Sequence, residues 1–391
     1  MNVLVLGAGL QGKAVIHDLS RSELVDRILV ADLDLAATQR FLEQGGYHQA
    51  QAVKADALDP AELSRLISEN RSDIVICMLP ARLSGKIAAV CVDCGVPFVN
   101  TSYAQWLEGL DERARDKGVI LLPEMGFDPG IDLIVGRMAL DELDQVEGFY
   151  SYGGGLPEPA ACDNPLNYKI TWTFDGVLQA YCRPARLLRR GRPVEIPGDE
   201  IFQEENIHFI EVPGLGRLEA YPNGDATRFV EVFGLGPELK EMGRFATRWP
   251  GHSAFWRIMA KLGFLEDQPV DLGDGVTVSP RRFLVKFLEP RLQFRDNERD
   301  VVVLRVKVWG RRAGRRCTVT YDLVDYRDLA SGLFAMNRTV GFAASIGAQM
   351  VLKGEITGAG VLSPVRVVDG PRFLEELAAR GIKVQRRLEE E

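Results

Sequence analysis

From Met1 to about Gly126, short apolar runs alternate with stretches whose apolar residues recur at the spacing of a helix face. The runs are residues 3–6, 28–31, 51–53, 74–78, 98–100 and 119–122, and each predicts a strand. They are apolar almost throughout, as strands covered on both faces must be. Helices between them, joined by short connections, make the set one doubly wound parallel sheet. Asp59-Pro60-Ala61-Glu62 starts one of these helices, with Asp59 as N-cap and Pro60 in the first helical position.

From about Leu143 the period changes. Residues 146–152, 168–173, 301–308 and 317–325 favour alternation or β-rich composition, which predicts a second, α+β domain with a largely antiparallel sheet. The last two runs are joined by the basic stretch Arg311-Arg312-Ala313-Gly314-Arg315-Arg316, a solvated hairpin loop. Helices over 253–262 and 280–288 are expected to cover the sheet. Near Ser331 the chain turns helical again and stays so to Lys353. Gly341, Ala344, Ser345 and Ala348 give that helix a small-residue stripe. It is expected to return to the first domain or its junction with the second, or to serve as a subunit contact. A short helix over 371–380 and a charged tail follow. The division is then 1–130 for the first domain, 131–332 for a substrate and dimerisation domain, and 333–391 for the returning helical segment.

The first fifteen residues, MNVLVLGAGLQGKAV, add chemistry to this frame. An apolar strand breaks into Gly7-Ala8-Gly9-Leu10-Gln11-Gly12 and helix formers follow, the context that a dinucleotide (Rossmann) fingerprint requires. Gly7 permits the tight turn, Gly9 lets the backbone approach a pyrophosphate, and Gly12 lets the helix pack on the strand. The amides of Leu10 and Gln11 open that helix and meet the phosphates. The second predicted strand ends in Asp32, about 20 residues past Gly12, where a carboxylate binds the adenosine ribose hydroxyls. Asp32 repels a 2′-phosphate and no arginine directly follows it, so NAD is expected, with NADP the alternative. Ligands of such sheets lie beyond the carboxyl ends of the strands. That draws in Asp56, Leu79, Pro80, Ser102 and Tyr103, and the loop from Glu124 to Asp132.

Composition narrows the classes. Apolar residues make up 46% of the 391, ample for packed cores. A net charge of −8 argues against a nucleic-acid partner. The 6 cysteines show no disulfide framework, and the lone Cys91–Cys94 pair makes no zinc site. The 4 histidines lack ligand spacing, so no metal is expected. No signal peptide precedes the first strand and no apolar run approaches a membrane span. A cytoplasmic protein without membrane contact is expected, forming a homodimer and acting on a small molecule.

Two further stretches hold more polar and special residues than packing needs. One is Pro123-Glu124-Met125-Gly126-Phe127-Asp128-Pro129-Gly130-Ile131-Asp132, whose Asp128, Pro129 and Gly130 sit where a nicotinamide ring is expected. The other runs from Gly153-Gly154-Gly155-Leu156-Pro157 to Asp163-Asn164-Pro165-Leu166-Asn167-Tyr168-Lys169. On a strand over 168–173, Lys169, Thr171 and Thr173 would share one face. Arg248, in Thr247-Arg248-Trp249-Pro250-Gly251-His252, is suited to bidentate carboxylate binding.

These motifs resemble the saccharopine dehydrogenase family along essentially the whole chain. Thr101-Ser102-Tyr103, the Glu124–Asp132 stretch, Gly154-Gly155-Leu156-Pro157, Asn164-Pro165-Leu166 and Tyr168-Lys169 are similar to glutamate-forming saccharopine dehydrogenase. Asp175-Gly176-Val177-Leu178, Arg183-Pro184-Ala185-Arg186 and the compact C-terminal third are more similar to lysine 6-dehydrogenase. The resemblance implies an oxidoreductase of lysine metabolism or amino-acid biosynthesis. It implies cofactor contact from the glycine loop, Asp32 and the Asp128–Asp132 segment, and substrate contact from Ser102, Tyr103, Asp128 and Arg248. Asn164 and Arg228 complete the substrate candidates. Saccharopine enzymes typically carry an arginine where this chain has Gly224, a departure that bears on a tricarboxylic substrate. Arg228 or Arg248 would then supply the charge.

The implied chemistry is oxidation of a carbon–nitrogen bond by hydride transfer to the nicotinamide, with a base taking the amine proton. Asp128 is the first candidate for that base, ahead of Lys169 and His252. The primary reading is a saccharopine dehydrogenase-like enzyme, and the runner-up is lysine 6-dehydrogenase. A reading of another class is an NAD-binding sensor or scaffold without turnover.

Overall fold

A computed structural model describes residues 1–390. The chain forms two compact units, one of Met1–Val135 with Asn337–Lys383, the other of Gly136–Met336 with the final strand. In chain order the first unit runs β1 (Asn2–Leu6), α1 (Leu10–Leu19), β2 (Arg27–Asp32), α2 (Leu35–Gly45), β3 (Ala50–Lys54), α3 (Pro60–Asn70), β4 (Ile74–Cys77), α4 (Ser84–Cys94), β5 (Phe98–Asn100), α5 (Asp111–Asp116) and β6 (Ile120–Leu122). The order β6-β5-β4-β1-β2-β3 is parallel throughout. Val3, Leu4, Val5 and Leu6 have no exposure at all, so β1 owes its place to burial on both faces. The carboxyl ends of β1 and β4 flank the point where the strand order reverses, the ligand-binding edge of such sheets. Asp59 caps α3 as expected, accepting from the amides of Ala61 and Glu62.

The helix α6 (Ile131–Leu140) leads to the second unit. There follow β7 (Gln145–Pro157), α7 (Phe174–Ala180), β8 (Ala185–Arg189), β9 (Arg192–Ile196), β10 (His208–Val212), β11 (Gly216–Pro222), α8 (Arg228–Phe233), β12 (Glu241–Arg248), α9 (His252–Lys261), β13 (Val270–Asp271), β14 (Thr277–Val278), α10 (Pro280–Leu288), β15 (Asp300–Arg312) and β16 (Arg315–Tyr326). The main sheet runs β10-β11-β12-β7-β15-β16 and then the last strand, with β8 and β9 attached beside β12. Most pairings are antiparallel, while β12 and β7 are parallel.

Three expectations fail locally. No strand covers 168–173. Tyr168, Lys169, Ile170 and Thr171 are all buried, so one face does not alternate with the other. A turn tied by the Asn164 side chain leads into this segment instead. The glycine run 153–155, whose glycines and following proline suggest a rigid loop, lies inside β7 instead. A methyl group on Gly154 would meet the Thr247 hydroxyl at 2.3 Å, so close strand packing explains that glycine. The charged tail is not free either. After α11 (Ala335–Leu352), β17 (Gly360–Val361), α12 (Pro364–Val367) and α13 (Gly370–Ala379), it forms β18 (Val384–Glu390) against β16. Arg386 pairs there with Glu142 and Arg387 with Asp322, which matches two of its charges.

The strand β17 adds a seventh member to the first sheet, parallel to β6. Close packing within the first unit accounts for Gly341 of α11: a methyl there would lie 2.6 Å from the Ala14 Cβ of α1. Asp18 of α1 is buried and accepts from the Ser345 hydroxyl at 2.6 Å and from the Arg380 guanidinium at 2.6 Å. Removing one partner of a buried ion pair leaves an uncompensated charge. Arg380→Ala is therefore expected to destabilise the first unit by roughly 3 kcal/mol, read as a lowered thermal midpoint by circular dichroism. An unchanged midpoint would show that the helix contacts carry the packing without this pair.

Candidate active site

The glycine loop has the geometry its residues require. Gly7 takes a φ of +95°, a conformation that side chains rarely adopt, and its amide donates to the Ala31 carbonyl at 2.9 Å. A methyl group on Gly12 would lie 2.0 Å from the Gly7 carbonyl oxygen, so the helix can seat there only without a side chain. A methyl on Gly9 would meet nothing within 4 Å, which leaves the loop open on its outer side. No side chain caps the N-terminus of α1. Its first amides and positive dipole end remain for an anion.

Asp32 closes β2 and takes two amides, from Ala8 at 2.7 Å and Asp34 at 2.9 Å. The carboxylate thus shapes the glycine loop. It retains acceptor capacity for ribose hydroxyls, since an ionised carboxylate has about four lone-pair sites. The Leu79 side chain reaches within 3.0 Å of a methyl group placed on Gly7, and exposed Pro80 follows it. Asp56 is exposed beyond β3, where it accepts from the Leu58 amide. Leu10 is exposed and Gln11 half-buried. This open backbone, the uncapped helix and the acid at the end of β2 fit a dinucleotide.

Ser102 and Tyr103 follow β5 and are half-buried, and the Ser102 carbonyl accepts from the Glu124 amide at 3.0 Å. In the acidic loop, Glu124 is buried and accepts from the Ala104 amide, and Asp132 is buried and accepts from the Gly130 amide. Two of its three carboxylates therefore have local structural jobs. Asp128 is half-buried, joined to Pro129 by a cis peptide bond. Pro129 and Gly130 are buried behind it.

The second unit gathers a polar cluster about Arg248, which is 7% exposed. Its guanidinium donates to the Thr247 carbonyl at 2.8 Å and lies beside the Tyr181 hydroxyl. The rings of Tyr168 and Tyr221 stand 5.5 and 5.9 Å from it. The Tyr181 hydroxyl meets His252 Nε2 at 2.7 Å, and His252 stacks on Tyr221. Burial, then the nearby Arg248 charge, push the His252 pKa well below the usual histidine range, so this imidazole is neutral. Burial likewise raises the Tyr168 and Tyr181 hydroxyls above their ordinary values. Strand register places Glu219 opposite Arg248, yet its carboxylate turns to the N-terminus of α9. It accepts there from the Gly251 and Ser253 amides at 2.8 and 2.5 Å. Among the described residues, no carboxylate pairs with Arg248. Its Nε, the Tyr168 hydroxyl and His252 Nδ1 are buried without a hydrogen-bond partner among the described residues. Each such group costs about 1–3 kcal/mol. The cluster thus gathers buried donors of the kind that suit an anionic group with several acceptor oxygens.

The other candidates are placed differently. Lys169 is 2% exposed and held between Glu298 at 2.6 Å and Asp163 at 2.9 Å, so its ammonium is saturated. The Asn164 side chain accepts from the Leu166 and Tyr168 amides and donates to the Tyr168 carbonyl, binding its own loop. Arg228 begins α8 beside the Phe229 ring, and buried Arg244 lies over the same ring at 4.6 Å. Sequence reasoning missed Tyr181, Tyr221, Glu219 and Arg244. The signal for the last was period two, since residues 244, 246 and 248 share a face of β12.

Comparison with known proteins covers nearly the whole chain. The saccharopine dehydrogenase NADP binding domain matches residues 3–122, and the saccharopine dehydrogenase C-terminal domain matches 126–382. The mitochondrial alpha-aminoadipic semialdehyde synthase of Rattus norvegicus is 28% identical over 97% of this chain, which spans 47% of that protein's length. The NADP(+), L-glutamate-forming saccharopine dehydrogenase of Saccharomyces cerevisiae is 28% identical over 96% of each chain. The apo crystal structure of the L-Glu-forming enzyme from that yeast superposes with a TM-score of 0.87 at 26% identity, covering 99% of both chains. With both halves matched in order, the chain belongs to the saccharopine dehydrogenase family.

Proposed function

We propose that this protein is a nicotinamide-dependent oxidoreductase that cleaves, or in reverse forms, the secondary amine of saccharopine, giving glutamate and aminoadipate semialdehyde. The observation that carries the reading is Arg248, a buried guanidinium that no carboxylate among the described residues neutralises. An amino-acid carboxylate supplies that charge and accepts from the neighbouring hydroxyl and imidazole groups. Tyr168, Tyr181, Tyr221 and His252 fix the guanidinium and exclude water from it, which strengthens its hold on the carboxylate. Bound at the glycine loop and Asp32, the dinucleotide supplies a hydride acceptor. Asp128 takes the proton from the amine nitrogen. Loss of that proton and of hydride from the adjacent carbon leaves a C=N bond. Water adds to it, and the product splits into aldehyde and amine. Lys169, whose ammonium is taken up by Glu298 and Asp163, has no part in the proton transfer in this reading.

The relatives are named for NADP, but here β2 ends in Asp32, exposed Leu33 follows, and Asp34 caps the next helix. Two acids and no adjoining arginine favour NAD. We further propose a homodimer in the cytoplasm. The six cysteines are free thiols, and no helix among the described residues is long and apolar enough to cross a membrane.

Nicotinamide reduction followed at its absorbance band, with saccharopine and lysine in parallel and each dinucleotide in turn, tests this. Saccharopine with NAD is expected to turn over fastest. Turnover of lysine alone would make the protein a lysine 6-dehydrogenase. That outcome has a structural motive in Gly224, a positive-φ turn residue with open space around it in place of an arginine. Binding of dinucleotide by calorimetry with no turnover of either amine would favour the sensor or scaffold reading.

A further inference from the structure

The helices α2, α3, α10 and α13 are each capped by the side chain that precedes them. The helix α9 is not, because the residue before it is Gly251. Its first turn is nevertheless buried at His252 and Ser253, where an amide without an acceptor is costly. Glu219 meets that need from another strand. Its two carboxylate oxygens take the Gly251 and Ser253 amides, while the His252 amide between them donates to the Trp249 carbonyl at 3.4 Å. The Trp249 ring nitrogen donates to the Pro157 carbonyl at 2.9 Å, so the turn that leads from Arg248 to His252 is tied at its start and at its end.

Where His252 comes to rest, the hydrogen bonds have a direction. The Arg248 guanidinium has only protons to give, so the Tyr181 oxygen accepts from it, and that oxygen accepts from the Tyr221 hydroxyl as well. The one proton of Tyr181 is then left for His252 Nε2, 2.7 Å away. The imidazole is neutral and its Nε2 accepts, so the ring carries its own proton on Nδ1. Nδ1–H and the Arg248 Nε–H are thus two buried donors, each without an acceptor among the described residues.

We infer that Glu219 is a positioning residue, which holds the start of α9 so that His252 presents Nδ1–H to the substrate carboxylate bound at Arg248. This role rests on the reading of Arg248 given above and deepens it, naming the second donor and the group that places it. Glu219 touches no substrate and acts through one helical turn. The His252 ring stacks on Tyr221, two positions along β11 from Glu219, so one strand sets both the amide contacts and the tilt of the ring. A ring whose Nε2 is taken by Tyr181 and whose Nδ1 bears a proton has no lone pair for an amine proton. His252 therefore binds the substrate and is not the base.

Two variants of the full chain test this. Glu219→Gln keeps the size of the side chain, accepts from one backbone amide and turns an NH₂ group toward the other. His252→Phe keeps a ring on Tyr221 and removes Nδ1–H. With saccharopine, each is expected to raise KM about tenfold with kcat held within about twofold, and the KM of the dinucleotide is expected to stay level. The double variant is expected to match His252→Phe alone, because a residue that acts through His252 then has nothing left to place. Histidine ring ¹⁵N spectra of the ligand-free protein at neutral pH give a second readout. The chain has 4 histidines, and His252→Phe identifies the signal of interest. Wild type is expected to show the Nδ1–H tautomer, and Glu219→Gln a mixture of both. Should Glu219→Gln fail to fold, the wild-type tautomer and His252→Phe keep the role testable. An Nε2–H tautomer in the wild type, an unchanged KM in either single variant, or effects that add in the double variant overturns this role and leaves the function above standing. A wild type that turns over neither saccharopine nor lysine overturns the function, and the role of Glu219 in binding falls with it.

Discussion

Gly12→Val abolishes dinucleotide binding. The β-carbon alone would lie 2.0 Å from the Gly7 carbonyl oxygen, and that oxygen belongs to a loop with no room to retreat. Gly7 is held by its bond to the Ala31 carbonyl, and Ala8 by its bond to Asp32. Either α1 lifts from β1 or the loop opens. Both outcomes withdraw the aligned amides on which a pyrophosphate depends. A loss of affinity of 100-fold or more, worth about 2.7 kcal/mol, is expected by calorimetry with NAD. The second unit has its own sheet and core, and its near-ultraviolet dichroism is expected to persist. Tight binding by a folded Gly12→Val protein would mean that the dinucleotide does not use this loop.

Arg248→Met separates activity from stability in the opposite sense to most core substitutions. The guanidinium is buried and unmatched by any carboxylate among the described residues, so its bonds to the Thr247 carbonyl and the Tyr181 hydroxyl offset its desolvation only in part. Methionine of similar length relieves that cost. The thermal midpoint is expected to stay level or to rise. Transition-state binding of an amino-acid carboxylate is expected to weaken by about 3 kcal/mol, roughly 10²-fold in kcat/KM, with most of the loss in KM. Arg248→Lys is expected to recover only part, because an ammonium lacks the planar fork that binds two oxygens at once. A variant that loses stability and activity together would make Arg248 a structural residue.

The first unit was legible in the sequence because its signals are local. Buried parallel strands are apolar runs, a glycine loop announces itself at fixed spacing, and Asp59-Pro60 marks a helix start within four residues. The strand β17 was missed because two residues carry no period. In the second unit, 168–173 alternated in composition but not in space. Buried Lys169 sits there because Glu298 and Asp163 receive it, and 129 positions separate it from Glu298. The cluster about Arg248 was half legible for the same reason. Arg248 and His252 stand within one short motif, whereas Tyr181, Tyr221 and Glu219 arrive from other elements through strand register and helix packing. The three acids of the Glu124–Asp132 loop exceeded what packing was expected to need. Two of them tie backbone amides, a role that neighbouring sequence does not distinguish from chemistry.

The turn of Glu219 toward the start of α9 has a bearing on how the protein meets its surroundings. Dissolved ions mask charges at a surface beyond about 8 Å at physiological ionic strength. They mask far less a guanidinium sealed beneath three phenol rings. Because Glu219 is spoken for by the helix, the charge of Arg248 is neither cancelled by its strand partner nor dulled by the medium, and, if an amino acid binds there as proposed, its recognition is expected to persist through wide swings in salt.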